Sequence, residues 1–232
     1  FVARLNLCPD EKTIALCKTI VMEGIPPERI FEEWKKLLLK GKSILKGLEF
    51  LKATSWLRFF PDLERLVDCP QDSEWHPEGD VWTHTLHCMD AFAKERIDDE
   101  WEDLVVGFAV LCHDLGKPLT TFTDESGRIR SPKHESKGEK PTTSFLGQLT
   151  EQKNLLEQVI PLVRRHLAPC TFYKDQASDS AIRRLARKVV RIDRLVRVAR
   201  ADMAGRPPKP ADFPAGEWLL ARAEKMQVRD SA

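Results

Sequence analysis

Apolar residues recur at helical spacing along most of this chain, and strand-like alternation is nearly absent. The spacing predicts helices near 81–95, 101–113, 142–149, 151–167, 178–204 and 215–228. In "AIRRLARKVVRIDRLVRVARADMAGR" apolar residues fall at 182, 185, 189, 192, 196 and 199, which makes one buried face. Before residue 70, "PDEKTIALCKTIVMEG" runs from an Asp to a Gly with Ile14, Leu16, Cys17, Ile20 and Val21 as its apolar set. "PPERIFEEWKKLLLKG" follows, with Pro27 in a first turn and Gly41 as a stop. Ile44, Leu45, Leu48, Leu51 and Trp56 form a third face, and Pro61 opens a short helix through Val67. "DCPQDSEWHPEGD", from Asp68 to Asp80, reads as a linker or a long ordered loop. "TTFTDESGRIRSP" is the one extended stretch, a small hairpin pairing Thr120–Thr123 with Arg128–Arg130. "RPPKPADFP" ends the last long helix. The expected fold is therefore all-α with at most this hairpin. It divides into a helical annex at 1–70, a main helical domain at 71–210 and a C-terminal helix at 211–232.

Composition narrows the picture only a little. A chain of 232 residues can bury a substantial core. Its net charge of +1 names no partner by bulk charge. No apolar run reaches about 18 residues, so no membrane span is expected. No secretory signal is visible, and the cysteines at 8, 17, 69, 88, 112 and 170 form no CxxC pair. Reduced thiols and a cytoplasmic location are the expectation. The first residue is Phe rather than Met, which reads as a trimmed N-terminus or a fragment of something longer.

The candidate chemistry starts in "LCHDLGKPLTTF". His113 and Asp114 close an apolar helix, and burying an unpaired carboxylate costs several kcal/mol, roughly, unless something compensates it. A metal ion does so; a local ion pair to Lys117 is the plainer alternative. His84 and Cys88, four residues apart, share a helix face, but a zinc site there lacks two further clear ligands. His134 sits in a polar loop, His166 ends a helix, and His87 reads as structural. Asp202 stands at a helix C-terminus, the wrong end of the dipole for an acid, and so calls for arginine or a metal. Arg183, Arg184, Arg187, Lys188, Arg191 and Arg194 form either a solvated face or an RNA-binding groove.

The order His84, His113-Asp114, His134, His166, Asp202 resembles the HD-domain metal-dependent phosphohydrolase superfamily. "EWHPEGDVWTHTLHCMDAF", "AVLCHDLGKPLTT" and "ARADMAGRPP" resemble in particular the HD region at the C-terminal end of bacterial tRNA nucleotidyltransferases, the CCA-adding enzymes. The likeness covers roughly residues 1 to 210, with 1–70 like the helical body of those enzymes. It implies an HD-domain helical bundle and one or two divalent ions (Mn, Ni, Co, Fe, Zn or Mg). His84, His113, Asp114 and Asp202 would hold the first ion, and His134 and His166 a second beside Asp114. Asp114 and Lys117 are the implied catalytic pair; Arg164, Arg165 and His76 are the candidates for substrate contact. The implied reaction is hydrolysis of nucleotide phosphomonoesters or 2',3'-cyclic phosphodiesters by a metal-activated water. The alternative is a tRNA-binding body and tail with a structural or vestigial HD site. No Gly-Gly turn leads to an acid pair here, so nucleotide addition itself is not expected of these residues.

Overall fold

Five of the helices begin where a side chain serves the unpaired amides of a first turn. Asp10, Ser43, Asp80, Asp99 and Ser178 each accept such bonds. The computed structural model describes residues 1–208 and 212–230. Lys209, Pro210 and Ala211, part of the break expected after the last long helix, lie outside the described residues.

The annex holds α1 (Val2–Leu5), α2 (Glu11–Lys18), α3 (Pro27–Lys40), α4 (Ile44–Ala53) and α5 (Pro61–Glu64). After the loop at 68–80 come α6 (Val81–Lys94), α7 (Glu100–Cys112), α8 (His134–Lys137), α9 (Glu139–Leu149) and α10 (Lys153–Arg165). α11 (Ala168–Lys174), α12 (Asp179–Val189), α13 (Ile192–Ala204) and α14 (Pro214–Lys225) complete the bundle. The hairpin is present as β1 (Phe122–Thr123) antiparallel to β2 (Ile129–Arg130), with Phe122 opposite Arg130. The mostly-α expectation holds.

α7 is the centre of the molecule. Every residue from Asp103 to Cys112 is buried, and α3, α6, α10 and α13 pack around it. Gly107 has no side chain because Phe92 presses there; a Cβ would lie 2.9 Å from that ring. Phe31 of α3 stacks on Phe108, and Trp34 meets Phe60 and Phe145 edge-on. Arg96 bonds the free carbonyls of Leu38 and Gly41 at the end of α3, at 2.9 and 2.7 Å. Residues on both sides of position 70 thus share one core.

Three elements differ from the sequence expectation. The helix expected over 178–204 breaks at Val190, whose φ of 63° is unusual for a β-branched residue. Residues far along the chain account for the joint: the Ile192 amide donates to the Arg229 carbonyl, and Arg191 bridges to Asp230. The apolar face survives the break, since Ile182, Leu185, Val189, Ile192, Val196 and Ala199 are all buried. The third face also breaks, at Ser55 (φ 61°), which turns Trp56 onto a separate 3₁₀ turn. α2 ends at Lys18 rather than Gly24 and buries none of its residues; Leu16, Ile20 and Val21 are exposed. Helical spacing names an apolar side, but not whether anything covers it.

Candidate metal centre

Three helix ends and two helix starts deliver the chemical groups to one place. His84 comes from the first turn of α6, which Asp80 caps through the Thr83 amide at 2.9 Å. His113 and Asp114 leave the end of α7; His134 begins α8; His166 follows α10; Asp202 lies near the end of α13. His84, His113, Asp114, His166 and Asp202 are buried, and His134 nearly so.

Each histidine has one nitrogen already engaged. Nδ1 of His113, His134 and His166 bonds the carbonyl three residues earlier, Val110, Ser131 and Val163, at 2.7, 2.8 and 2.7 Å. Nδ1 of His84 bonds Glu78 Oε1 at 2.7 Å. Those acceptors assign the proton to Nδ1 and leave Nε2 as a lone pair. The Nε2 atoms then face one another in pairs: His84 and His113 at 3.4 Å, His134 and His166 at 3.4 Å. Two facing lone pairs repel unless a cation lies between them. On one tetrahedral ion with bonds of about 2.0–2.1 Å, two imidazole nitrogens stand about 3.4 Å apart.

Asp114 sits between the pairs. Oδ2 lies 3.2 Å from His113 Nε2 and 3.8 Å from His84 Nε2, while Oδ1 lies 3.3 Å from His134 Nε2. Both oxygens are buried without a hydrogen bond, although Lys117 Nζ comes within 2.8 Å of Oδ2. Asp202 Oδ1 lies 3.1 Å from His84 Nε2 and pairs with Arg206 at 2.7 Å. Donor atoms of His84, Cys88, His113 and Asp202 fall within 4.8 Å of one another, as do those of Asp114, His134 and His166. The ion pair to Lys117 weighed from the sequence is thus present, and nitrogen and carboxylate donors in two such groups, joined by a carboxylate that accepts no hydrogen bond, also fit one or two divalent ions.

The electrostatics agree with a cation site. Burial works to raise the carboxyl of Asp114, but positive charge at His113 and Lys117 outweighs it and holds the group well below the carboxylate range. Burial likewise opposes ionisation of Asp202 and loses to Arg206 and His84. The pKa of His113 is raised: burial works against it, and the Asp114 and Asp202 carboxylates prevail. A proton there stands in for a metal ion, and metal binding displaces such protons. His166 is pushed down to about 3, first by burial and then by His113 and His134, so its Nε2 lone pair stays free.

The centre opens into a cavity of about 450 Å³. Asp114, Lys117, His134, His166 and Asp202 line it, with His76 and Trp75 on the loop side. Lys117 is buried and held by Gln71 Oε1 at 2.6 Å. Arg164 and Arg165, expected to touch substrate, do not line this cavity, and Arg164 pairs with Glu139 instead. The arginines that do line it are Arg130 and Arg206. Sequence reasoning missed these, together with Gln71 and Glu78. Arg206 had a signal, since it lies four residues after Asp202 on the same helical path. Glu78 is deeply buried, bonds both His76 and His84, and is held down to about 2 by them against the opposing effect of burial. A larger apolar cavity of about 870 Å³ lies in the annex beside Trp34, Phe50 and Trp56. The convergent donors belong to the smaller cavity, so the chemistry does too.

Residues 8–66 match the family model described as the probable RNA and SrmB-binding site of polymerase A. The whole chain aligns with bacterial proteins named multifunctional CCA protein. It is 33% identical to that of Stenotrophomonas maltophilia (strain K279a), covering 99% of this chain and 59% of the relative. It is a region related to the CCA-adding enzymes. The CCA proteins of Halorhodospira halophila and Laribacter hongkongensis are 31% and 29% identical, with 92% and 91% of this chain aligned to 52% of each relative. The CCA-related chain thus spans a little over half the length of these relatives. Its annex, α2 to α5, carries the RNA-binding match, and no described helix is long and apolar enough to cross a membrane.

Proposed function

We propose that this chain is a tRNA-binding region of a CCA-type protein. The match of residues 8–66 to an RNA-binding family, together with the CCA protein relatives, supports this reading. These comparisons favour the alternative weighed from sequence over hydrolysis alone, so RNA binding comes first here. The solvent-facing cations on α12, Arg183, Arg184, Arg187 and Lys188, are exposed and suit binding to phosphates. Arg191 and Arg194, expected on the same basic face, are instead paired to Asp193 and Glu102. Measuring tRNA binding against salt tests the reading. Charge reversal at Arg183 and Arg187 is expected to weaken binding and to reduce the salt slope by about one for each phosphate that is no longer neutralised. Binding that is indifferent to both salt and these changes would sink it.

The second proposed activity is hydrolysis of phosphate esters, the reading that the paired Nε2 atoms and Asp114, which accepts no hydrogen bond, support. His84, His113, Asp114 and Asp202 would hold one ion, and Asp114, His134 and His166 the other. A divalent cation there supplies Lewis acidity toward a phosphoryl group. The chain's own residues do the rest. Lys117, oriented by Gln71, and Arg206, oriented by Asp202, present positive charge to phosphoryl oxygens in the cavity. Their anchoring means that little reorganisation accompanies substrate entry. Nucleotide phosphomonoesters and 2',3'-cyclic phosphodiesters are the substrate class. Turnover of 2',3'-cyclic AMP and p-nitrophenyl phosphate is expected with a divalent transition metal and should vanish in Asp114→Ala. An absence of turnover across Mn, Ni, Co, Fe, Zn and Mg would leave the RNA-binding reading alone.

A further inference from the structure

We infer that Cys88 is a ligand of the first ion, which makes that position a sulfur-bearing site for thiophilic divalent cations such as zinc, cobalt or ferrous iron. The inference rests on the metal-centre reading above and adds to it a donor and a class of metal. Sequence spacing puts Cys88 one turn after His84 on the same face of α6. What the sequence lacked was the other two ligands, and the fold supplies them as His113 and Asp202.

The geometry suits a shared ion. Cys88 is fully buried, and its Sγ lies 3.3 Å from His84 Nε2. Beside His84, His113, Asp202 and an Asp114 oxygen, Cys88 would be a fifth donor; a sulfur at about 2.3 Å and a nitrogen at about 2.0 Å from one ion stand about 3.0–3.7 Å apart over angles of about 90–120°. Around the same Nε2 atom lie Asp202 Oδ1 at 3.1 Å and His113 Nε2 at 3.4 Å.

Room for the sulfur is built in. Gly205, just past the end of α13, approaches so closely that a Cβ there would lie 2.4 Å from Cys88 Sγ. Any side chain at 205 would displace the sulfur from its place beside the histidines. Cys112 is equally buried but belongs to none of the donor groups.

Binding breaks the S–H bond, forms an S–metal bond and releases the proton to solvent; no oxidation is involved. The consequence is selection. Thiolate favours zinc, cobalt and iron, whereas Mg and Mn prefer all-oxygen or mixed oxygen sites.

Cobalt titration of the metal-free full chain reads this directly. The expected result is visible ligand-field bands together with an intense near-ultraviolet sulfur-to-cobalt charge-transfer band. In Cys88→Ser the charge-transfer band should disappear while the ligand-field bands remain, with affinity at least about tenfold weaker. X-ray absorption of the zinc-loaded parent should show a sulfur scatterer at about 2.3 Å. Ligand-field bands without a charge-transfer band, or a band that persists in Cys88→Ser, would overturn the sulfur ligand and leave the metal centre standing. No cobalt binding at all would overturn both. If Cys88→Ser does not fold, Cys88→Ala carries the same comparison, and the parent's X-ray absorption still decides whether sulfur is bound.

Discussion

At the scale of single residues, the centre depends on close backbone approach as much as on its ligands. Gly116 has an ordinary negative φ, so conformational freedom does not explain it. Space does: a Cβ would lie 1.9 Å from the His134 carbonyl oxygen and 2.6 Å from the Gly138 amide. Gly116→Ala is therefore expected to cost about 2–3 kcal/mol in urea unfolding and to lower metal occupancy at the His134 side. The "HD" pair stood out in the sequence as a candidate site because two ionisable groups ended an apolar helix. The role of the glycine was not legible, since no sequence pattern reports which backbone will press against it. His76 offers a second test at this scale. Burial first, then Lys117 and His84, depress its pKa to about 4, and His166 is at about 3. Both values lie below the ordinary 6.5, so the unfolded chain takes up these protons first. Their stabilisation is present above about pH 6.5 and is lost as pH falls toward 4. His113, with a raised pKa, pulls the other way. In the metal-free protein, His76→Gln should flatten the fall in melting temperature between pH 7 and 5 by a few degrees.

At the scale of elements, α7 and α13 are held by an unusual polar pair. Arg194 is buried and grips both oxygens of Glu102, at 2.6 and 2.7 Å. Sequence periodicity had placed this arginine on a basic outer face with Arg183 and Arg187. The break at Val190 separates them, leaving α12 with the solvent-facing cations and α13 with a buried one. Arg194→Ala should cost about 2–3 kcal/mol, because Glu102 then keeps only its longer, half-buried contact to Arg191 at 3.2 Å. Arg183→Ala should stay within about 0.5 kcal/mol. Equal costs in denaturant unfolding would contradict this division. The positions of most helices were readable because caps and apolar spacing are local. The two breaks were not, since the Val190 joint is stabilised by residues 229 and 230, some forty positions away.

Across the whole molecule, the loop at 68–80 connects rather than divides. It carries Gln71 and His76 to the cavity and Glu78 to His84, while α3 and α4 cover α7 and α6. A fragment beginning at residue 71 would expose Phe108, and one beginning a residue later would also remove the brace of Gln71 on Lys117. Such a fragment is expected to aggregate rather than melt cooperatively, which calorimetry would show. The anchoring of the histidines has one more consequence. Two rings, His113 and His166, are locked by carbonyls of their own helices, and a third, His134, by the carbonyl of Ser131 just before α8. The centre is a socket rather than a clasp. Small zinc domains fall apart when their ion is taken away. Here a chelator should lower the melting temperature by mass action alone and leave the circular dichroism unchanged. An ion could then come and go while the protein keeps its shape.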